Sequence, residues 1–473
     1  MVASAPKQRS YGISDYLRLS TTSSDTSTLP SAAWTPLSLS TCTFGMPAHY
    51  APCVMKRLPK DVVYAEELLY PAFEIRQPYF ATEEHEERWK YMVVGIKERA
   101  VLQDNGWVVY KGQSGQNFVF NSVSFKHSVD GYDRWTADAC MGGLVSSERL
   151  QPFNAAEVIW KNNATTIYRN AMVALSPDSY SFQHHLDRIT HIVTQGAHLT
   201  LRSEVPFVIT GRRGSDFVQQ LWERLGFDEE HVLHSVTDDI YAERMIFSCR
   251  AILVHPWLSL KTLETFGINV LRVSSTRNKV CLIMYMSRSN SRAQNGGRKV
   301  INESALLDAI RELLEERGKG EELVVFDETR YGSASELFTY FNENVMAIIG
   351  PHGGAMHHHR WAARGTLVVE MMPTTFTSMA IYEEASVLSQ TYAVLVVEPS
   401  ELKGTDMVID PGHVLRILRE HLGVRMHKPH HAEHMGFLAL RNGGKRTDRV
   451  EYESLAEDPL RISYQWGRQE LGL

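Results

Sequence analysis

The chain has 473 residues, of which 43% are hydrophobic and 22% are charged, and its formal net charge is −6. This length exceeds what one hydrophobic core usually fills, so two domains are expected. The composition argues against a fibrous or disordered protein, and the negative charge gives no electrostatic reason to expect a nucleic acid as a partner.

The five cysteines are scattered without the CxxC spacing of a zinc site, and they are too few for a dense disulfide framework. No apolar stretch approaches the length that spans a bilayer, and the N-terminus lacks the layout of a signal peptide. Taken literally, the sequence predicts a soluble protein that is not secreted. A sequence that had lost an N-terminal anchor would show the same absence of a signal peptide and of a membrane-spanning stretch.

Residues 1–45 are rich in Ser, Thr and Pro, which predicts a flexible leader. Residues 46–265 alternate short apolar runs with amphipathic segments, which predicts a first α/β domain with a parallel sheet and helices packed on it. We expect its strands at 107–110, 118–125, 157–160, 206–210 and 251–256, and its helices at 179–195 and 215–226.

A boundary is expected near 262–279, and residues 266–400 are predicted to form a second α/β domain. Residues 401–473 are expected to hold a helix at 413–422 and a charged tail. Within the second domain, we expect strands at 280–288, 323–328, 345–349 and 366–372, and helices at 303–318 and 334–342.

The turn between the last two of these strands is the clearest candidate site. The sequence GPHGG, which contains His352, Gly353 and Gly354, is followed by a segment of helix length. A strand, turn, helix and strand of this kind presents backbone N–H groups and a helix N-terminus, which hold anions in α/β sheets. We therefore expect a bound phosphate. A plain turn with a surface histidine is the alternative, and the motif is neither a Walker loop nor GxGxxG.

Three arginines follow the first strand of the predicted second domain. They are Arg288, Arg292 and Arg298, and the loop leads through Asn302 and Glu303 into a helix. Because arginine holds phosphate oxygens with paired hydrogen bonds, this loop predicts a pyrophosphate clamp. A solvated basic loop is the alternative.

Glu370 stands in an apolar strand, where a carboxylate is costly unless it lies at the strand's end and finds a partner. A ribose diol is one such partner, and a surface salt bridge is the alternative. The run His357–His359 cannot place all three side chains on one helical face, so zinc binding is not expected. These three residues are predicted to be surface histidines of a helix.

His184 and Asp187 lie three residues apart on one face of a predicted helix, a geometry that suits a base and the residue that orients it. An ordinary polar pair on a helix is the alternative. The sequence has no GxSxG, HExxH or recognisable Cys–His arrangement, so a hydrolase nucleophile is not indicated.

Taken in order, three stretches resemble motifs of glycosyltransferase family 61, which includes plant xylosyl- and arabinosyltransferases and animal protein O-linked N-acetylglucosaminyltransferases. The resemblance covers about residues 160–400, and it implies a GT-B architecture with two Rossmann-like domains across a cleft, the nucleotide sugar lying mainly on the second. The stretches are SFQHHLDRI at 181–189, SRSNSRAQNGGRKVINESALL at 287–307 and IIGPHGGAMHHHRWAARGTLVVEMMP at 348–373.

The resemblance further implies inverting transfer of a sugar from a UDP-sugar to a hydroxyl of a glycan or protein acceptor, without a metal cofactor. Arginines and a helix N-terminus would neutralise the departing pyrophosphate. A catalytically silent GT-B-like protein that binds nucleotide sugars or acts as a scaffold is the competing interpretation. The presence of Arg288, Arg298 and His352 favours activity.

Carried over by position, the resemblance makes Asp187 the base with His184 beside it. Gly354 stands where the family often has Ala followed by Gly, and HHHRWAARG replaces a usually apolar segment. If this chain differs from the family, we expect the difference to lie in the acceptor or base pocket. Arg292 has no firm counterpart. The residues assigned to the donor are Arg288, Arg298, Asn302, Glu303, His352, Gly353, Gly354 and Glu370.

Family members usually lie in the Golgi or endoplasmic reticulum behind an N-terminal anchor, so the resemblance implies a secretory location. The sequons at Asn163 and Asn302 are compatible with that route, although glycosylation of Asn302 is not expected because it lies inside the predicted site. The implied partners are a nucleotide-sugar donor and a glycan or glycoprotein acceptor.

Overall fold

The computed structural model describes a mixed α/β protein with several sheets. The predicted strand at 157–160, Arg292 and, apart from Ser40–Thr41, the predicted leader lie outside the described residues. Those residues are 40–41, 53–54, 62–70, 73–125, 150–152, 166–176, 180–200, 204–234, 239–249, 254–269, 281–289, 296–401, 404–423, 435–437 and 460–463.

The strands are numbered in chain order. They are β1 (Ser40–Thr41), β2 (Cys53–Val54), β3 (Val62–Tyr70), β4 (Phe73–Arg76), β5 (Ala100–Leu102), β6 (Trp107–Tyr110), β7 (Gln113–Phe125), β8 (Leu150–Pro152), β9 (Ile167–Val173), β10 (Phe207–Thr210), β11 (Val232–His234), β12 (Ile240–Cys249), β13 (Cys281–Tyr285), β14 (Glu321–Val325), β15 (Val345–Pro351), β16 (Leu367–Pro373), β17 (Thr391–Val397), β18 (Met435–Phe437) and β19 (Leu460–Ser463).

The helices are numbered in the same way. They are α1 (Glu83–Val94), α2 (Phe182–His184), α3 (Thr190–Gly196), α4 (Asp216–Arg224), α5 (Pro256–Thr265), α6 (Glu303–Arg317), α7 (Ala334–Asn344), α8 (Ala380–Val387) and α9 (Pro411–His421). A π-helical turn, His185–Ile189, joins α2 to α3, and a 3-10 helix, Gly354–Trp361, follows β15.

The larger sheet is mixed, with the strand order β11-β10-β9-β12-β7-β3-β19. Strands β11, β10, β9 and β12 are parallel, whereas β7, β3 and β19 pair in antiparallel fashion. The prediction of a parallel sheet for this part of the chain is therefore correct for only half of it. Apolar runs such as 118–125 reveal a strand, but its direction depends on the partner that it pairs with.

A second sheet contains five parallel strands in the order β14-β13-β15-β16-β17. Numbered within the sheet, this is the doubly wound order 2-1-3-4-5, which places a ligand crevice at the carboxyl ends of its first and third strands. Those strands are β13 and β15. The predicted strands at 280–288, 345–349 and 366–372, and the parallel pairing of the last two, are confirmed.

Every residue of β15 and β16 is buried, because helices and loops cover both faces of the five-stranded sheet. One apolar cluster extends from this sheet to residues of the larger sheet and of α1, α3 and α4. A third, antiparallel sheet has the order β18-β4-β6-β5. Among the residues described above, no helix is long and apolar enough to cross a membrane.

The predicted helices at 215–226, 303–318, 334–342 and 413–422 are confirmed. Of the predicted strand at 251–256, residues 251–253 lie outside the described residues, and the prediction is wrong for 254–256, because Val254 and His255 are in no strand and Pro256 begins α5. His255 accepts a hydrogen bond from the Trp257 N–H at 3.1 Å and so caps the helix. Proline in the first turn of a helix has a suitable fixed φ and lacks only an N–H that would have no helical partner.

Candidate active site

The switch point of the five-stranded sheet brings Arg288 beside the glycine-rich turn. Arg288 follows β13, and its Nε donates to the Gly297 carbonyl at 3.1 Å. A Cβ atom on Gly353 would lie 2.2 Å from Nη1 of Arg288, so this guanidinium packs directly on the backbone after β15. Gly353 has an extended φ of 169°, so it is required here for space rather than for its φ.

Arg298 reaches the same crevice from the loop before α6. Its guanidinium lies 4.2 Å above the ring of Phe376, and its backbone N–H donates to Oγ1 of Thr405 at 3.1 Å. Burial and the charge of Arg288 lower the pKa of Arg298 to about 10, and Glu370 acts in the opposite direction. Arg298 is therefore charged at neutral pH, and an anion bound between the two guanidiniums would offset their repulsion.

Glu370 forms a buried hydrogen-bonded chain with His352 and Tyr392. Its Oε1 lies 2.5 Å from Nδ1 of His352, and its Oε2 accepts from the Tyr392 hydroxyl. Glu370 has no exposed surface and lies inside β16, three residues before the end of the strand. A direct ribose contact, as predicted for Glu370, would require one of these two hydrogen bonds to be exchanged.

Asn302 and Glu303 are held within the protein. The Asn302 side-chain amide donates to the Ile409 carbonyl at 2.7 Å and accepts from the Ile409 N–H at 3.0 Å. Glu303 accepts from the Ser287 hydroxyl at 2.8 Å and from the Tyr285 hydroxyl at 3.2 Å. The Glu303 bonds connect the start of α6 to the end of β13, and the Asn302 bonds connect it to the segment before α9, so both residues support the loop that carries Arg298.

The prediction that residues 357–359 are surface histidines is wrong. His357 and His359 have no exposed surface, and His358 is 3% exposed. The 3-10 helix 354–361 packs against α2, α7, α8 and β15, and this covers all of its sides. His358 accepts from Nε1 of Trp361 at 3.0 Å and stacks on Phe182, and burial lowers its pKa to about 3.

His184 and Asp187 lie together at the π-helical turn. Nδ1 of His184 is 3.6 Å from Oδ1 of Asp187, which is an ion-pair distance rather than a hydrogen bond. Both side chains retain some exposure, 24% for His184 and 16% for Asp187. A π-helical turn leaves a carbonyl available, and the Leu186 carbonyl accepts from Thr190 Oγ1 at 2.5 Å and from Arg360 Nη1 at 3.1 Å. Such turns often occur at functional sites.

The two sets of residues predicted from the sequence meet in space. Arg360 of the 3-10 helix donates to the π-helical turn, and Phe182 stacks on His358 with 4.4 Å between ring centroids. The Gln183 side-chain oxygen lies 3.9 Å from the position of a Cβ on Gly354. The segment that carries His184 and Asp187 therefore packs on the helix that begins at the glycine-rich turn.

Sequence reasoning missed several residues of this region. Phe376 and Tyr392 lie outside the motifs and carry no sequence signal. Arg360 and Glu384 form a buried pair, with Nε and Oε1 3.6 Å apart, and Ser259 donates to Glu384 at 3.1 Å. Arg360 belongs to the HHHRWAARG segment, whose departure from the family pattern was the available signal.

The arrangement has two chemical capabilities. On the sheet side, two guanidiniums and a histidine held by a carboxylate form a site for an anion. On the helix side, a partly exposed carboxylate beside a histidine is suited to accept a proton. The 3-10 helix 354–361 connects the two sides, because it begins at the glycine-rich turn and its Arg360 donates to the π-helical turn.

The family model described as Glycosyltransferase 61 matches residues 148–369. The matched range includes His184, Asp187, Arg288, Arg298 and His352, and it ends one residue before Glu370. No curated protein matches the chain. Residues 148–369 of the chain therefore match the glycosyltransferase 61 family, whose members are transferases.

Proposed function

We propose that the protein is an inverting glycosyltransferase that transfers a sugar from a UDP-sugar to a hydroxyl of a glycan or protein acceptor. We further propose that its two larger sheets face each other across a GT-B cleft. The observation that supports both proposals is the packing of the His184–Asp187 segment on the helix that follows His352.

On the donor side, Arg288 and Arg298 bind the pyrophosphate oxygens, and His352 adds a third contact. Because Nδ1 of His352 is hydrogen-bonded to Glu370, Nε2 is the ring nitrogen that contacts the ligand. The leaving UDP carries negative charge, and cations already in place stabilise that charge as the bond breaks. In this proposal the arginines supply the charge and no metal cofactor is needed.

On the acceptor side, Asp187 takes the proton of the acceptor hydroxyl while His184 orients the carboxylate. The acceptor oxygen attacks the anomeric carbon from the face opposite UDP and forms the new glycosidic bond. The bond from the anomeric carbon to the UDP oxygen breaks, and UDP departs with the electron pair. The proton on Asp187 is then released to solvent, which restores the carboxylate.

A thermal-shift panel of UDP-, GDP- and ADP-sugars tests the donor assignment. A ligand at 100 times its Kd stabilises the native state by about 2.7 kcal/mol, so a UDP-sugar should raise the unfolding midpoint by several degrees. A well-folded sample that no UDP-sugar stabilises would contradict the proposal.

Two variants separate the roles of the two sides. Arg298→Ala should abolish the shift caused by the UDP-sugar, because it removes charge from the pyrophosphate site. Asp187→Ala should keep the shift and abolish transfer, measured as UDP release in the presence of acceptor. Loss of both properties in Asp187→Ala would contradict this division of roles. A donor shift without transfer in the unaltered protein would favour the catalytically silent alternative.

We also propose a location in the Golgi or endoplasmic reticulum, on the ground of the family match alone. The sequon at Asn163 gives a direct test in cells. Passage through the secretory route should add a glycan that an endoglycosidase removes and that Asn163→Gln prevents. An unglycosylated protein in the cytoplasmic fraction would contradict this location.

A further inference from the structure

His357 is a fully buried histidine whose ring nitrogens have no hydrogen-bond partner. Its exposed surface is 0%, and neither Nδ1 nor Nε2 makes a hydrogen bond within the protein. A buried polar atom without a hydrogen-bond partner lowers the stability of the folded state by about 1–3 kcal/mol, and most buried polar groups in proteins are hydrogen-bonded. Unlike His358 and His359, which bond to Trp361 and Gln390, His357 is not explained by the local structure.

His357 belongs to the 3-10 helix 354–361, which begins at the glycine-rich turn and bonds through Arg360 to the π-helical turn that carries Asp187. Besides its helix neighbours Arg360 and His359, the residues whose charge acts on it are His352, on the donor side, and His184, beside the proposed base. Burial is the largest cause that lowers the pKa of His357, so its imidazole is neutral at physiological pH. A neutral imidazole has one donor and one acceptor nitrogen, which suits a hydroxyl rather than a phosphate.

Unused hydrogen-bonding capacity is concentrated around the same place. Nδ1 of His184, Oδ1 of Asp187 and Nε of Arg360 are buried atoms that also lack a hydrogen-bond partner. These atoms come from the π-helical segment on one side and from the 3-10 helix on the other. A ligand with several hydroxyl groups would satisfy them together, because each hydroxyl both donates and accepts.

We propose that His357 hydrogen-bonds a hydroxyl of the donor's sugar and thereby determines which UDP-sugars the enzyme accepts. This inference rests on the proposed function. Because the His357 ring has no exposed surface, the inference requires side chains around it to move when the sugar binds, and His184 and Asp187 are partly exposed side chains of the neighbouring segment. A site built to bond a hydroxyl discriminates strongly against a sugar that lacks it, since its own polar atom then stays unpaired.

The test compares the affinities of UDP and of a UDP-sugar by titration calorimetry. The sugar nucleotide is whichever of UDP-glucose, UDP-xylose and UDP-N-acetylglucosamine binds the unaltered protein most tightly. His357→Leu should weaken binding of that UDP-sugar about tenfold or more, the loss expected for one buried hydrogen bond. The affinity for UDP should stay within about twofold, and His357→Gln should recover most of the loss because an amide also donates and accepts.

His358→Phe is the matched control, because His358 is the adjacent buried histidine and is already bonded to Trp361. It should lower the stability of the protein and leave the ratio of the two affinities unchanged. Equal affinities in His357→Leu and the unaltered protein would overturn the inference, and so would an equal loss for UDP and the UDP-sugar. If the unaltered protein binds neither ligand, the proposed function itself fails and the inference fails with it.

Discussion

Glu370 is a buried carboxylate whose two oxygens are held by His352 and Tyr392. The hydrogen bond to His352 fixes the orientation of the imidazole, because a carboxylate on one ring nitrogen determines which nitrogen faces the ligand. In the proposed donor site, Glu370 would therefore act through His352 as a positioning residue.

Glu370→Gln should weaken UDP binding about tenfold while the protein remains folded. The amide keeps the shape of the side chain and still accepts from Tyr392, but it removes the charge that supports His352, and such hydrogen bonds contribute about 1.5–3 kcal/mol. UDP titration calorimetry measures this change. Tyr392→Phe is the control, since it should lower stability by about 1 kcal/mol and leave UDP affinity nearly unchanged. Equal UDP affinity in Glu370→Gln and the unaltered protein would show that Glu370 has only a structural role.

At the scale of the element, the turn after β15 depends on two adjacent glycines with different surroundings. Gly353 lies against the Arg288 guanidinium, and a Cβ there would approach Nη1 to 2.2 Å. Gly354 begins the 3-10 helix 354–361, and a Cβ there would meet only the Gln183 side chain, at an ordinary 3.9 Å. Only Gly353 therefore needs to be glycine for packing.

Gly353→Ala should displace the Arg288 guanidinium and reduce UDP-induced stabilisation strongly, whereas Gly354→Ala should leave it nearly unchanged. The reason is steric, because Gly353 has an extended φ that alanine adopts without strain. The thermal shift with UDP measures both variants. Similar shifts in the two variants would contradict the close packing of Arg288 on the turn.

At the scale of the whole molecule, the burial of histidines ties stability to pH. Burial lowers the pKa values of His185, His358 and His359 to about 3 each. In the unfolded chain these groups titrate near pH 6.5. Their folded pKa values are lower than the unfolded ones, so their contribution is fully present above pH 6.5 and is lost as the pH falls toward 3.

We expect the free energy of unfolding to fall below pH 6.5 by about 1.4 kcal/mol per pH unit for each of these histidines. Burial raises the pKa values of Glu383 and Glu384, which act in the opposite direction, so a comparison of variants isolates the effect. His358→Phe should reduce the loss of stability between pH 6 and pH 5 by about 1.4 kcal/mol. Urea unfolding at both pH values measures this loss. An equal loss in His358→Phe and the unaltered protein would contradict the lowered pKa of His358.

Three strands of the five-stranded sheet, β13, β15 and β16, and the turn between the last two were predictable from the sequence, because the strands are apolar runs bounded by strong turn signals. Strand β17 of the same sheet was not predicted. Other elements have weaker signals in the sequence. Strand β12 mixes polar and apolar residues, and α1 carries many charges, so neither was predicted. Local sequence also does not encode the antiparallel partners of β7, which lie far away in the chain.

The sequence by itself determined the family motifs, the apolar strands of the second sheet and the candidates Arg288, Arg298, His352 and Asp187. These features are local, since they depend on residue type and spacing. Only the tertiary structure decided that Glu370 binds His352 and Tyr392, and that residues 357–363 of HHHRWAARG are buried. The physical reason is that a side chain's partners come from other elements. For His357 this placement leaves a buried imidazole without a hydrogen-bond partner on the helix that follows the glycine-rich turn.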